Sequence, residues 1–301
     1  MKCGRFPVAA SALAWALLVS SLSACLVDDD AVGDPELENV EHNRGGRDPI
    51  VFVHGCSPPG FTNQMSADLF IPMMQDFEAR GVPADSMFAL VFSGAPCASI
   101  EAHAEELAAL VSEVREITGK QKVDLIGHSM GALISRWYIT HGGDRRVHDV
   151  VMLGGANHGG GGAAGAIELQ EIFGFPAYEG MKQMFPPYAC EGETLGGATD
   201  IQFELNGCLT PTGRTVNRDE TPFEQKGLRY LSIRNTIDEI VTPVEAACID
   251  QKRQNDCSNR ANVAVTVQPG PGCGEMGCPG HVTMLFDPGV IETVFSFVSR
   301  R

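Results

Sequence analysis

The sequence predicts an α/β domain: a mostly parallel, doubly wound sheet with helices on both faces and a cap or lid inserted late in the chain. Three observations predict it. Short continuous apolar runs, each closed by glycine or a turn residue, are the mark of strands buried on both faces. Amphipathic stretches of helical spacing separate them, and strand alternating with helix implies parallel strands joined by crossovers. The 301 residues, 44% hydrophobic and 20% charged, supply apolar surface for a full core, which excludes disorder as the main state.

Taken in order, 49–54 (PIVFVH) is the first strand, ended by Gly55. Residues 67–80 have helical spacing, 87–92 form a second strand, and 101–117 make a long amphipathic helix closed by Gly119. A third strand spans 123–126 (VDLI); Gly127 and a helix to about His141 follow it. Residues 147–153 are a fourth strand, 228–233 a fifth and 263–267 a sixth, before a closing helix over 287–298. The stretch 159–226 breaks this rhythm. It is longer than a crossover requires and is expected to be the cap. It opens on a glycine hinge, Gly159 to Gly162, and continues with Ile167, Leu169, Ile172, Phe173 and Phe175 at helical spacing, then Phe185, Pro186, Pro187 and Tyr188.

The N-terminus carries an export signal. Lys2 and Arg5 precede an apolar run over 8–19, and Ser20, Ser21, Ser23 and Ala24 follow. A permanent membrane span needs roughly 20 apolar residues, so 1–24 is read as a cleaved leader. Leu22-Ser23-Ala24-Cys25 resembles the lipobox of bacterial lipoproteins, which makes Cys25 the expected lipid attachment point and membrane anchor. Plain cleavage after Ala24 is the alternative. Cysteine arithmetic favours the lipid: of ten cysteines, Cys3 leaves with the leader, and lipidating Cys25 leaves an even set for bridges. Leu26 stands where an aspartate would hold such a lipoprotein at the inner membrane, so the outer membrane, or secretion, is expected. Residues 26–47 are acidic and without apolar periodicity, a solvated tether. The domain itself is 48–301.

Charge narrows the partners. With 22 basic against 38 acidic residues and a net charge of −16, the chain has no basic footprint for nucleic acid. Gly159 to Gly162 lacks the lysine and spacing of a phosphate loop. No cofactor is expected.

Gly127-His128-Ser129-Met130-Gly131 fits G-x-S-x-G, and it lies where that pattern has chemical meaning, between a buried strand and a helix. The turn is too tight for side chains beside the serine, which must sit in a strained conformation with its hydroxyl exposed. With Pro49 to Gly55 upstream, this motif resembles the α/β-hydrolases, and more closely the bacterial lipases and esterases of that fold. Ser232-Ile233-Arg234-Asn235-Thr236-Ile237-Asp238-Glu239-Ile240-Val241-Thr242-Pro243 resembles their acid loop, and Gly280-His281-Val282-Thr283-Met284-Leu285 their histidine loop. Leu153 to Gly159 (LGGANHG) is similar to the strand end after the nucleophile helix. The similarity covers about 49–298, in the family order serine, aspartate, histidine.

The resemblance implies a triad of Ser129, Asp238 and His281. A serine hydroxyl becomes a nucleophile when a base takes its proton, and a histidine of near-neutral pKa suits that task. A buried carboxylate fixes the imidazole tautomer and stabilises the imidazolium. Glu239, one residue on, is expected to point elsewhere, and Asp250 lies in a cysteine-rich loop that reads as structural. Among the other histidines, His42 is in the tether, His103 on the long helix, His141 and His148 flank a turn, and His158 is in the Asn-His-Gly loop. His128 is held away by the turn, and His54 is expected to order the loop after the first strand. The family places the oxyanion donors at the backbone N–H groups of Met130 and of the residue after His-Gly, here Cys56.

Cysteine at position 56 departs from the commoner apolar residue, although a backbone donor is indifferent to its side chain. It could be read as a catalytic thiol, but a bridge to Cys97 between neighbouring loops is the simpler account. By proximity, Cys190 with Cys208, Cys248 with Cys257, and Cys273 with Cys278 are the other expected pairs. A zinc site is the rival, but the spacing is wrong and export favours bridges, so no metal is expected. The implied function is a serine hydrolase acting on lipid or other acyl esters. A polyester depolymerase, a thioesterase, and a binding protein that kept the fold without the chemistry are the alternatives.

Overall fold

The first half of the chain runs β1 (Ile50–Val53), α1 (Asn63–Asp68), α2 (Ile71–Ala79), β2 (Met87–Leu90), α3 (Ile100–Thr118), β3 (Val123–His128), α4 (Met130–Tyr138) and β4 (Val147–Leu153) in the computed structural model. After β4 come α5 (Glu179–Gln183), α6 (Asp200–Asn206) and a small antiparallel pair, β5 (Cys208–Leu209) with β6 (Thr215–Val216). The chain then returns through β7 (Arg229–Asn235), β8 (Asn262–Val265), α7 (Gly280–Thr283) and α8 (Pro288–Val298). The structure describes residues 46–56, 61–95, 97–160, 179–184, 200–209, 212, 215–216, 227–251, 253, 255–271 and 277–300.

Among the described residues the main sheet has the order β2-β1-β3-β4-β7-β8, every neighbouring pair parallel. Successive side chains of a strand point to opposite faces, and two cores follow from that alternation. Val51 and Val53 of β1 join Leu107 and Val111 of α3 and Leu133 of α4 on one face. Ile50 and Phe52 join Phe70, Met73 and Phe77, with Val290, Val294 and Val298 of α8, on the other. The doubly wound sheet of the sequence reading is observed.

The chain leaves β1 outward to β2 and returns to β3 on the other side of β1. That reversal of winding direction opens a crevice at the carboxyl ends of β1 and β3, the usual ligand position in such sheets.

Local differences have local causes. The single helix expected over 67–80 is two, because Pro72 sits in the first turn of α2. Proline lacks an N–H and its ring would strike the carbonyl four residues back in a continuous helix, so the chain breaks at Leu69-Phe70. α1 begins earlier than expected, capped by the Thr62 side chain, which accepts from Met65 N. α3 and α8 start behind Ser99 and Asp287 side-chain caps, and α3 ends on Gly119 at φ 66°.

The apolar segments expected in the cap, 167–175 and 185–188, lie outside the described residues. Of the expected hinge, Gly159 N–H donates to Ala156 O (3.0 Å) and Gly160 N–H to Met184 O (2.9 Å), so these two glycines are tied down. Residues 47–301 form one compact unit. No helix among the described residues is long and apolar enough to cross a membrane.

Candidate active site

Ser129 is the single residue between the last residue of β3 and the first of α4. Its φ of 55° and ψ of −125° put a side-chain-bearing residue where glycine is normally found, at a cost of about 1–3 kcal/mol. Sterics explain its neighbours. A Cβ on Gly127 would lie 2.6 Å from Gly131 O, and one on Gly131 would lie 2.1 Å from Val53 O. Only glycine fits at either. The strained turn is pinned by Ser129 N–H donating to Leu153 O at 2.9 Å, which fastens it to the end of β4.

The loop after β7 and the short helix α7 bring the acid and the histidine together. His281 Nδ1–H donates to Asp238 Oδ2 at 2.7 Å, with both residues buried. The other carboxylate oxygen, Oδ1, accepts from Ile240 N and Val241 N, each at 2.8 Å. Burial would raise the Asp238 pKa. The His281 hydrogen bond, the His281 charge and the two backbone donors outweigh it and hold the carboxyl below its ordinary range. Because Nδ1 carries the proton, Nε2 is the acceptor. That buried Nε2 has no hydrogen-bond partner among the described residues.

Ser129 and His281 are linked through their neighbours. Gly154, next to the Leu153 carbonyl that holds Ser129, takes φ 51°, and a Cβ there would stand 3.2 Å from both Cε1 and Nδ1 of His281. His128 Nε2–H donates to the carbonyl of His281 at 2.9 Å, with the two rings 4.7 Å apart. Burial, and then the nearby His281, push the His128 imidazole down to about 3, so it stays neutral and serves as a fixed donor. Glu239 clamps the same turn, Oε1 accepting from Gly280 N (3.1 Å) and Oε2 from His281 N (3.3 Å).

The loop after β1 meets the serine turn closely. A Cβ on Gly55 would lie 2.7 Å from Ser129 Cβ and 3.1 Å from Met130 N, so Gly55, the residue before Cys56, is pressed against the serine turn. His54 Nδ1–H donates to Gly55 O at 2.7 Å, and its ring meets Phe92 edge-on at 4.6 Å. Burial lowers its pKa to about 4. His54 therefore orders this loop, as the sequence suggested.

Two expected bridges are present, Cys56–Cys97 and Cys248–Cys257. Cys278 is also disulfide-bonded. Cys25, Cys190 and Cys273 lie outside the described residues, as does the side chain of Cys208. Among the described residues, Asp48, Asp124 and His148 form a cluster with metal-ligand spacing. It lies at the amino ends of β1, β3 and β4, away from Ser129.

Sequence reasoning missed two features here. The Glu239 clamp spans more than 40 residues and leaves no periodic trace, although an acid beside Asp238 was visible. Arg136, buried in α4, donates to Asn157 O (2.8 Å), Leu205 O (3.0 Å) and Asn206 Oδ1 (2.7 Å). It ties the serine helix to α6, and only its place on an otherwise apolar face hinted at burial.

Residues 47–160 match the family Lipase (class 2). The triacylglycerol lipase of Burkholderia plantarii is 30% identical over 157 residues, 52% of this chain and 42% of its own length. That of Pseudomonas fragi is 34% identical over 113 residues, 38% and 36% of the two chains. The match thus spans less than half the length of either curated relative. Aspergillus fumigatus lipase B superposes with a TM-score of 0.54 at 15% identity, over 86% of this chain and 54% of that one. The fold is that of an α/β-hydrolase.

Proposed function

We propose, with this likeness to class 2 lipases as the premise, that the chain is a serine hydrolase of carboxylic esters working through an acyl-enzyme. Ser129 is the nucleophile, His281 the base and Asp238 the acid that orients it. The observation that carries this reading is the 2.7 Å bond from His281 Nδ1 to Asp238, which leaves Nε2 as an acceptor without a hydrogen-bond partner among the described residues.

In the forward step Nε2 takes the Ser129 hydroxyl proton as Oγ attacks the ester carbonyl. The imidazolium is stabilised by Asp238, whose carboxylate is already ionised. The developing oxyanion is met by the N–H groups of Met130 and Cys56, worth about 10²–10³-fold in rate for each well-placed donor. The proton on Nε2 then passes to the leaving alcohol. Water, activated by the same nitrogen, releases the acid and restores the serine.

Acyl esters of lipid type are the favoured substrate class, because the curated relatives are triacylglycerol lipases. A fluorophosphonate probe is expected to label the wild-type chain and not Ser129→Ala, and hydrolysis of p-nitrophenyl butyrate is expected to vanish with it. Labelling that persists in Ser129→Ala overturns the assignment. Emulsified triglyceride beside thioester and polyester substrates separates the lipase from its relatives on the same triad.

The bridges support export to an oxidising compartment. Cleavage before Cys25 and lipidation there would hold the enzyme at the cell envelope on an acidic tether. Stable anchoring needs more than one acyl chain, so Cys25→Ser is expected to move the protein from the membrane to the soluble fraction.

A further inference from the structure

The oxyanion hole of a serine hydrolase acts only if its donors stand in place when charge develops, and a loop donor must be held there by something. Met130 is held by α4. Cys56 lies three residues beyond β1 in the loop that His54 orders through Gly55 O, and its second restraint is covalent.

It comes from Cys97. The two cysteines are joined across a sequence separation of 41, with their Cα atoms 4.7 Å apart. Cys97 is fully buried, and its segment is fixed from a second side by α5. The Cys97 carbonyl accepts from Gly180 N in α5 at 3.0 Å. Gly180 is pressed so closely that a Cβ would lie 2.5 Å from Ala98 O and 2.8 Å from Met130 Sδ. Gln183 of α5 accepts from Ile100 N at 2.6 Å and donates to Glu101 at 2.7 Å, fastening the same helix to the start of α3.

We propose that Cys97 is a positioning residue of the oxyanion hole: its disulfide holds the Cys56 N–H opposite Met130, and its carbonyl anchors that loop to α5, so the hole stands assembled before substrate arrives. This rests on the reading of Cys56 and Met130 as the oxyanion donors. The side chain at position 56 thus acquires a task that a backbone donor alone would not give it. Activity is then sensitive to thiols. A dithiol reductant supplies two electrons and two protons; its own sulfurs close to a cyclic disulfide as the Cys56–Cys97 bond opens to two thiols.

The test compares wild type, Cys97→Ala and the double variant Cys248→Ser/Cys257→Ser, which opens the other bridge, on p-nitrophenyl butyrate. Affinity for a boronic acid that mimics the tetrahedral intermediate is measured beside it. Cys97→Ala is expected to lower kcat on the order of 10- to 100-fold, short of deleting a donor outright. KM should change less than about threefold, and boronate affinity should fall by the factor lost from kcat, because only the transition state uses the hole. The double variant is expected to keep its kcat and boronate affinity.

Should Cys97→Ala fail to fold, two replacements serve. One is wild type reduced by dithiothreitol, with far-UV circular dichroism confirming the fold. The other is Cys56→Ala, which keeps the backbone N–H while opening the same bridge and is expected to lower kcat by a similar factor. Unchanged kcat and boronate affinity once the Cys56–Cys97 bond is open overturn the proposal while leaving the hydrolase reading untouched. A wild-type chain that turns over no ester overturns both.

Discussion

The two ends of the sheet carry the same residue types and do different things with them. At the carboxyl end, His281 meets one carboxylate, Asp238, at 2.7 Å. At the amino end, His148 Nδ1 lies 3.7 Å from Asp48, 3.8 Å from Asp124 and 3.6 Å from Asp149. The second cluster is richer in charge and poorer in direction. None of these three distances is short enough to fix a tautomer, and the fully buried Asp149 is answered by Arg229, whose Nε donates at 2.8 Å. A histidine beside an acid becomes chemistry only where a single tight bond sets the proton on one nitrogen and the other nitrogen faces a nucleophile. The winding of the sheet favours the carboxyl end for the proposed chemistry, because a reversal such as that between β1 and β3 usually places the ligand crevice there.

The sharpest way to break this contrast is to neutralise one acid at the carboxyl end. Asp238→Asn keeps the size but invites the wrong imidazole tautomer, and kcat for a p-nitrophenyl ester is expected to fall about 10⁴-fold with the fold intact. A loss below tenfold would place the acid elsewhere.

Acid should damage the carboxyl end through its buried imidazoles. His54 and His128 titrate near 6.5 in the unfolded chain, but burial lowers them to about 4 and about 3 in the folded protein. Between those values the unfolded state binds more protons. Stability is therefore complete above about pH 6.5 and is lost as pH falls, on the order of 2 kcal/mol per histidine by pH 5. Asp238, with its lowered pKa, adds its own loss at still lower pH. Urea midpoints at pH 7.5 and pH 5 measure the drop, to which the buried His103, lowered in the same direction, also contributes, and His54→Gln should reduce it. A flat profile would mean that these rings are not held neutral by burial.

The amino end is expected to answer in stability alone. Arg229→Met keeps packing against Phe297, over whose ring the guanidinium lies at 5.1 Å, yet leaves Asp149 buried without its guanidinium partner. Unfolding free energy should fall by about 3 kcal/mol, the lower end for breaking a buried pair because Arg229 is 35% exposed. Ester turnover should stay within twofold. A kcat that falls with stability would mean that the two ends are coupled.

What the sequence made legible follows the same division. The serine turn was readable because tight backbone geometry forces glycine at 127 and 131, and forced residues leave a pattern. The strands were readable because burial on both faces demands continuous apolar runs, and their edges moved by only a few positions. The break between α1 and α2 was written in Pro72 but masked by the apolar spacing around it. The contacts that hold His281 left no such pattern. His128, Gly154 and Glu239 reach it from three separate elements, and any residue with a donor, an acceptor or no side chain satisfies local sequence rules at those places.

Glu239 offers the smallest expected effect and the finest test of what holds the histidine. Its two oxygens accept from Gly280 N and His281 N, so the carboxylate grips the backbone of the turn while Asp238 grips the ring. Glu239→Gln keeps one acceptor oxygen and sets an NH₂ group against the other N–H, so one bond is lost and its donor is left facing another donor. The imidazole should then swing by a fraction of an ångström, and kcat should fall about tenfold with KM unchanged, as expected for an interaction used in the transition state. Glu239→Ala should lose more of kcat than Glu239→Gln. If instead Glu239→Gln lost as much kcat as Asp238→Asn, the acid would be misassigned by one residue, and the 2.7 Å bond to His281 would be a support rather than the catalytic contact.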